Sequence, residues 1–135
     1  MPRVFRCTIV TPEAEIFDQE VSYASIPAHD GQIGLAPGRA PLLVSLGHDR
    51  MRLDDTSGAS HHYFISGGFA QMKDNSLAVL TTRALQPSQI DPSSAQASLK
   101  QAQEQMALSD AQVQQRQDQM DGARAMIRLA KEHGH

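Results

Sequence analysis

The sequence predicts an N-terminal all-β sandwich, a flattened antiparallel barrel, followed by a C-terminal antiparallel α-helical hairpin. Two observations carry this expectation. Up to about Leu85, short apolar runs alternate with polar residues and are separated by turn-forming clusters, which is the pattern of half-buried strands. Past Gln86-Pro87-Ser88, glycine nearly vanishes and Ala, Gln, Met and Leu take over, residues that lose little entropy in a helix.

In Val4 to Val10, Phe5, Cys7 and Ile9 share one face and Arg6 and Thr8 the other. Further runs at Glu15 to Phe17, Val21 to Ile26, Ile33 to Leu35, Leu42 to Leu46, Met51 to Leu53, His61 to Ser66, Phe69 to Met72 and Leu77 to Thr81 predict the remaining strands. Asp54 to Gly58 and Lys73-Asp74-Asn75-Ser76 read as hairpin turns. Many short strands at this spacing predict two packed antiparallel sheets. The stretch from residue 24 to 46 is punctuated by His29-Asp30-Gly31-Gln32 and by Ala36-Pro37-Gly38-Arg39-Ala40-Pro41, a rigid looped edge suited to contact. Ser66-Gly67-Gly68-Phe69 predicts a close backbone approach or a bend in the sheet.

Asp91-Pro92 predicts a helix start, with the aspartate as N-cap and proline where a missing N–H costs nothing. Ala95, Leu99, Ala102 and Met106 then fall on one face. Ser109-Asp110-Ala111-Gln112 reads as a capping box opening a second helix to about Lys131, with a thin stripe of Val113, Met120, Ala123, Ile127 and Ala130. So few large apolar side chains, at about 1.5–3 kcal/mol each when fully buried, cannot hold a hairpin together without a partner. The pair is expected to dock, on the sandwich or on another protein, and Gly122 offers a place to bend.

Composition narrows the function. Twelve Lys and Arg face fifteen Asp and Glu, without the clustered basic excess of a nucleic-acid protein. A single cysteine, Cys7, permits no internal disulfide and fits a reducing compartment. The N-terminal residues show no signal-peptide pattern and no run of about 18 apolar residues occurs, so the expectation is a soluble intracellular chain that sits on a membrane only through a complex. No metal is expected: His61 and His62 point to opposite faces of a strand, and His133-Gly134-His135 has no second ligand pair near it in sequence. Ser66 lacks a nucleophile-elbow context and Gly67-Gly68 lacks the lysine and helix start of a phosphate loop, so the chain reads as non-catalytic.

Val10-Thr11-Pro12-Glu13 with Phe17, Asp30 to Leu43, Ser66-Gly67-Gly68-Phe69 and Leu77-Ala78-Val79-Leu80 resemble, in order, the epsilon subunit of F-type ATP synthases. The resemblance spans essentially the whole chain. It implies a sandwich over residues 1–86 bound to the gamma subunit and to the membrane ring of c subunits, and a regulatory hairpin over 87–135 that restrains ATP hydrolysis. It places Asp30, Gly31, Gln32 and Ile33 against the c-ring, with Gln32 where the family usually has glutamate, and Thr11, Arg39, Ala40, Pro41 and Leu42 against gamma. It also assigns Arg116, Arg124, Arg128 and Lys131 to contacts with the alpha and beta subunits, where complementary charge would favour docking. A nucleotide motif of some bacterial members corresponds to Ile90 and Asp91, but Ser94 replaces its arginine, so no cofactor is expected and Asp91 reads as a helix cap. The implied location is the cytoplasmic face of a bacterial plasma membrane, peripheral to it. Two other classes remain beside this one: a stand-alone nucleotide-sensing domain on a similar scaffold, and a small hydrolase that would turn over substrate as the purified chain.

Overall fold

The computed structural model describes residues 3–133. The strands are β1 (Phe5–Val10), β2 (Glu15–Ala28), β3 (Gly31–Leu35), β4 (Leu42–Ser45), β5 (His48–Asp55), β6 (Ser60–Ser66), β7 (Phe69–Lys73), β8 (Ser76–Leu80) and β9 (Ala84–Leu85). They join in the order β4-β7-β8-β1-β2-β5-β6-β9, with β3 paired to β2. Two of the expected strands are one: the runs at Glu15 to Phe17 and Val21 to Ile26 form the 14-residue β2. Its first half pairs with β1, and after a register shift between Val21 and Tyr23 its second half pairs with β3 and β5, so β2 belongs to both layers. A sheet folded on itself in this way closes around Phe5, Cys7, Ile9, Ile26, Leu35, Met51, Leu53, Ile65, Met72, Leu77 and Val79, all buried.

One pairing departs from the antiparallel expectation. β1 and β8 run parallel, with Cys7 beside Leu77 and Ile9 beside Val79. The two strands are far apart in sequence, so no tight turn dictates their direction. The short β9 was not anticipated, since two residues carry no period; β6 pairs with it through Phe64–Leu85 and Ile65–Ala84.

The glycine pair behaves as its sequence predicts. Gly68 has φ +97°, and a Cβ there would lie 2.0 Å from the carbonyl oxygen of Leu80, so only glycine fits. This close approach, with Gly67 N–H donating to Gly47 (2.9 Å) and Leu46 N–H to Gly68 (2.9 Å), turns the chain between layers. The Lys73–Ser76 turn has Asp74 and Asn75 at φ 52° and 58°, the tight hairpin geometry matching sheet twist.

A 3-10 turn (Pro87–Gln89) leads to α1 (Pro92–Glu104) and α2 (Asp110–Glu132). Asp91 caps α1 as predicted, accepting from Ser93 N–H at 3.0 Å. The predicted capping box is half formed. Ser109 Oγ accepts from Gln112 N–H at 3.2 Å, but the Gln112 side chain reaches one residue further back, to Leu108 N–H at 2.7 Å. Met106 lies beyond the end of α1 and is 78 % exposed, and Val113 is 52 % exposed. The buried face of α2 is instead Gly122, Ala123, Ala125, Leu129 and Ala130. The helices are antiparallel: Arg116 donates to the carbonyls of Ala102 (2.8 Å) and Gln103 (3.1 Å) at the tip, while Ile90 and Leu129 meet at the base.

Candidate functional site: three surfaces of the sandwich and hairpin

The first surface is the turn between β2 and β3. Asp30 and Gly31 are exposed at its tip and Ile33 is half-buried against the core. Gln32 is exposed but not free: its Oε1 accepts from Ser25 Oγ at 2.7 Å and its Nε2 donates to the Arg50 carbonyl at 2.9 Å. A glutamate could not make the second bond, because an ionised carboxylate only accepts. The amide thus ties β2, β3 and β5 together behind the turn and leaves Asp30 as the charged group at its end.

The second surface is the outer face of β4, β7, β8 and β1. The cross-strand registers Ser45–Phe69, Phe69–Leu80 and Leu80–Val10 set these side chains in one row, with Leu43 in the next. Leu43 is 66 % exposed, and Val10, Phe69 and Leu80 are also exposed, forming a contiguous apolar patch. Thr11 and Arg39 to Leu42, to which the resemblance assigns a contact, lie nearby, and the structure divides them. Thr11 is buried, its hydroxyl donating to the Ala14 carbonyl at 3.2 Å. Leu42 is half-buried and packs on the core, as alternation requires, so its neighbour Leu43 faces out. Arg39, Ala40 and Pro41 are exposed on the adjoining loop. Asn75 fixes that loop, accepting from Gly38 N–H at 2.9 Å and donating to the Val4 carbonyl at 2.8 Å. Period two in Leu42 to Ser45 held the signal for Leu43; nothing local pointed to the long-range role of Asn75.

The third surface is the hairpin's docked face. Phe64, Ile90, Ala125, Leu129 and Ala130 form a second apolar cluster, flanked by Leu85 and Met126. Gly122 is no bend: it lies within the continuous α2 and faces the sandwich, where a Cβ would make ordinary contact with the Phe64 ring at 3.4 Å and with His48 at 3.6 Å. Charged pairs border the cluster. Arg50 pairs with Glu132, Arg128 with Asp49 at 3.7 Å, and His48 Nε2 lies 3.8 Å from Asp118. Of the expected basic stripe, Arg116 therefore caps α1 and Arg128 faces the sandwich. Arg124 lines a cleft of about 560 Å3 shared with His29, His48 and Asp118, and Lys131 is exposed.

The residues weighed for nucleotide are engaged within the fold. Ile90 is buried in the apolar cluster, and the Asp91 carboxylate accepts from Ser94 Oγ at 2.9 Å and from Ser93 N–H at 3.0 Å, which lowers its pKa. Cys7 on β1 is buried in the core, and burial, with Asp18 nearby, pushes its thiol up to about 12. Among the described residues no group of three or more His, Cys, Asp or Glu converges as metal ligands, and no helix is long and apolar enough to cross a membrane. Gly134 and His135 of the C-terminal histidine motif lie outside the described residues.

A folded-over sandwich that carries an exposed apolar face and a docked two-helix arm has the build of a protein that binds other proteins. The sequence model described as the ATP synthase Delta/Epsilon chain beta-sandwich domain matches residues 4–87. The chain is 35% identical over 126 residues to the ATP synthase epsilon chain of Rhodopirellula baltica, covering 93% of this chain and 98% of that one. It is 31% identical over 127 residues to the epsilon chain of Bacillus mycoides, covering 94% and 95%. In fold it is similar to a chain of the Euglena gracilis mitochondrial ATP synthase assembly, at TM-score 0.80 and 20% identity over 100% of this chain and 84% of that chain. The chain belongs to the ATP synthase epsilon chain family, a non-catalytic subunit of that complex.

Proposed function

We propose that the chain is a central-stalk rotor subunit that couples ion-driven rotation of the c-ring, through gamma, to ATP synthesis. Residues 1–86 serve as the coupling sandwich and 87–135 as a regulatory hairpin. The observation that carries the coupling role is the apolar row Val10, Leu80 and Phe69 with Leu43 beside it. An apolar patch on a non-catalytic subunit calls for a protein partner, and the exposed Arg39 to Pro41 loop borders it. Gamma is the partner assigned to this face. The β2–β3 turn, with Asp30 at its tip, is assigned to the polar loops of the c-ring, where Gln32 acts through the shape of the turn.

The hairpin is proposed to restrain ATP hydrolysis by leaving the sandwich and engaging the alpha and beta subunits through Arg124, Arg128 and Lys131. Arg116 serves that role only indirectly, by holding α1 to α2. The small cluster at the docked face supports release, since three large side chains, Phe64, Ile90 and Leu129, hold it at about 1.5–3 kcal/mol each. In such a complex the chain is peripheral, on the cytoplasmic face of a bacterial plasma membrane.

Substituting Leu43→Asp tests the assignment of the apolar face. Leu43 is mostly solvated in the isolated chain, so its thermal unfolding should stay unchanged, while affinity for isolated gamma subunit should fall at least about tenfold. Wild-type affinity in the folded variant would remove this face from the interface.

A further inference from the structure

We propose that the adjoining imidazoles of His62 and His133 form an acid-sensitive latch that holds the C-terminal end of α2 on the sandwich at neutral pH and lets it go on acidification. The two rings come from different elements, β6 and the residue that caps α2, and their centroids lie 4.5 Å apart, tilted by 49°. Neutral imidazoles at this distance attract by ring contact. Two imidazolium ions there repel, because each has a compact positive charge and no carboxylate between them.

The surroundings sharpen the effect. His62 Nδ1 is buried and has no hydrogen-bond partner among the described residues. Facing His62 from β5 are Arg50 and Arg52, the latter directly opposite in the register, and from α2 come Glu132 and His133. Of the acids near it, Glu132 is already paired to Arg50, Asp49 across the same cleft is paired to Arg128 at 3.7 Å, and the sequence neighbour His61 is turned to Asp55 at 2.9 Å. Burial first, then His133, Arg50 and Arg52, hold the His62 pKa below its usual value, with Glu132 opposing. The part of that lowering that α2 supplies, its share of the burial and the His133 ring, is lost on undocking, while Arg50 and Arg52 stay beside His62 on β5; to that extent His62 binds its proton more tightly when undocked. Docking is therefore complete above the ordinary histidine pKa of about 6.5 and weakens as pH falls through it. The predicted loosening is confined to the last turns of α2, since the other end of the docked segment is held separately, with His48 lying 3.8 Å from Asp118.

Those turns carry Arg124, Arg128 and Lys131. Their exposure by acid would deepen the regulatory role proposed above, and that consequence rests on it; the latch does not. Hydrogen exchange of the full chain at pH 7.5 and 5.5, expressed as protection after correction for intrinsic exchange, tests the latch directly. Protection over residues 123–132 should fall about fivefold at the lower pH, equivalent to about 1 kcal/mol, relative to β1 and β8. The fall should vanish in His62→Phe and in His133→Asn. Because position 62 is within the sheet, His133→Asn at the exposed helix end decides the matter if the first variant fails to fold. Equal protection of the wild type at both pH values, or an undiminished fall in either folded variant, would overturn the latch. Hydrolysis by the assembled enzyme is a separate readout: a working latch without any pH effect on hydrolysis would count against the inhibitory role and not against the latch.

Discussion

Asn75 shows how much one side chain can organise. Its backbone occupies the left-handed region at φ 58°, and its amide joins Val4 at the start of β1 to Gly38 in the loop beside the apolar face. Asn75→Gly keeps the backbone conformation and loses both bonds, whereas Asn75→Ala loses the bonds and adds strain. The expected order of melting temperature is wild type, glycine, alanine, with each lost bond worth about 0.5–1.5 kcal/mol and the strain about 1 kcal/mol more. Thermal unfolding of the two variants checks it, and a glycine variant less stable than alanine would contradict the geometry. At this scale the sequence was legible where chemistry is local. Asp91 beside Pro92, the Gly67-Gly68 pair and the Lys73–Ser76 turn each state their own backbone requirement. Asn75 and Gln32 were not legible as ties, since their partners lie in other strands. Arg116 read as part of a basic stripe because spacing alone cannot show that α1's last carbonyls lie within its reach.

For the elements, periodicity told strand from helix but not where a strand continues or which face of a helix wins. β2 runs through polar residues Asp18 to Glu20 because β1 pairs with them across the register. In α2 the predicted stripe and the buried face overlap only at Ala123 and Ala130; Gly122, Ala125 and Leu129 replace Val113, Met120 and Ile127, rotating the helix so that small residues meet Phe64. Leu129, 1 % exposed, is the largest α2 side chain in that contact. Leu129→Ala should cost the docked state about 2–4 kcal/mol and release the hairpin while leaving the sandwich intact. Exchange protection should then collapse in α2 and persist in β1, β2 and β8; protection retained in α2 would show that the cluster does not hold the arm.

The whole molecule is a sandwich with a two-helix arm docked on it. The sandwich closes a large core through long-range pairings, and the hairpin adds a small second core with charged pairs at its border, each such surface pair worth about 0–1 kcal/mol. If the arm restrains the assembled enzyme, deleting residues 110–135 should raise ATP hydrolysis several-fold while leaving copurification with gamma unchanged. Unchanged hydrolysis across nucleotide conditions would end the inhibitory reading. The sequence alone determined the two-part architecture, the caps and turns, and the family, because these depend on period, local backbone demands and residue order. Only the tertiary structure decided that β1 and β8 run parallel, that Leu43 and not Leu42 faces outward beside Phe69, and that His62 meets His133. Those relations join residues distant along the chain, and they are set by the closure of one shared core.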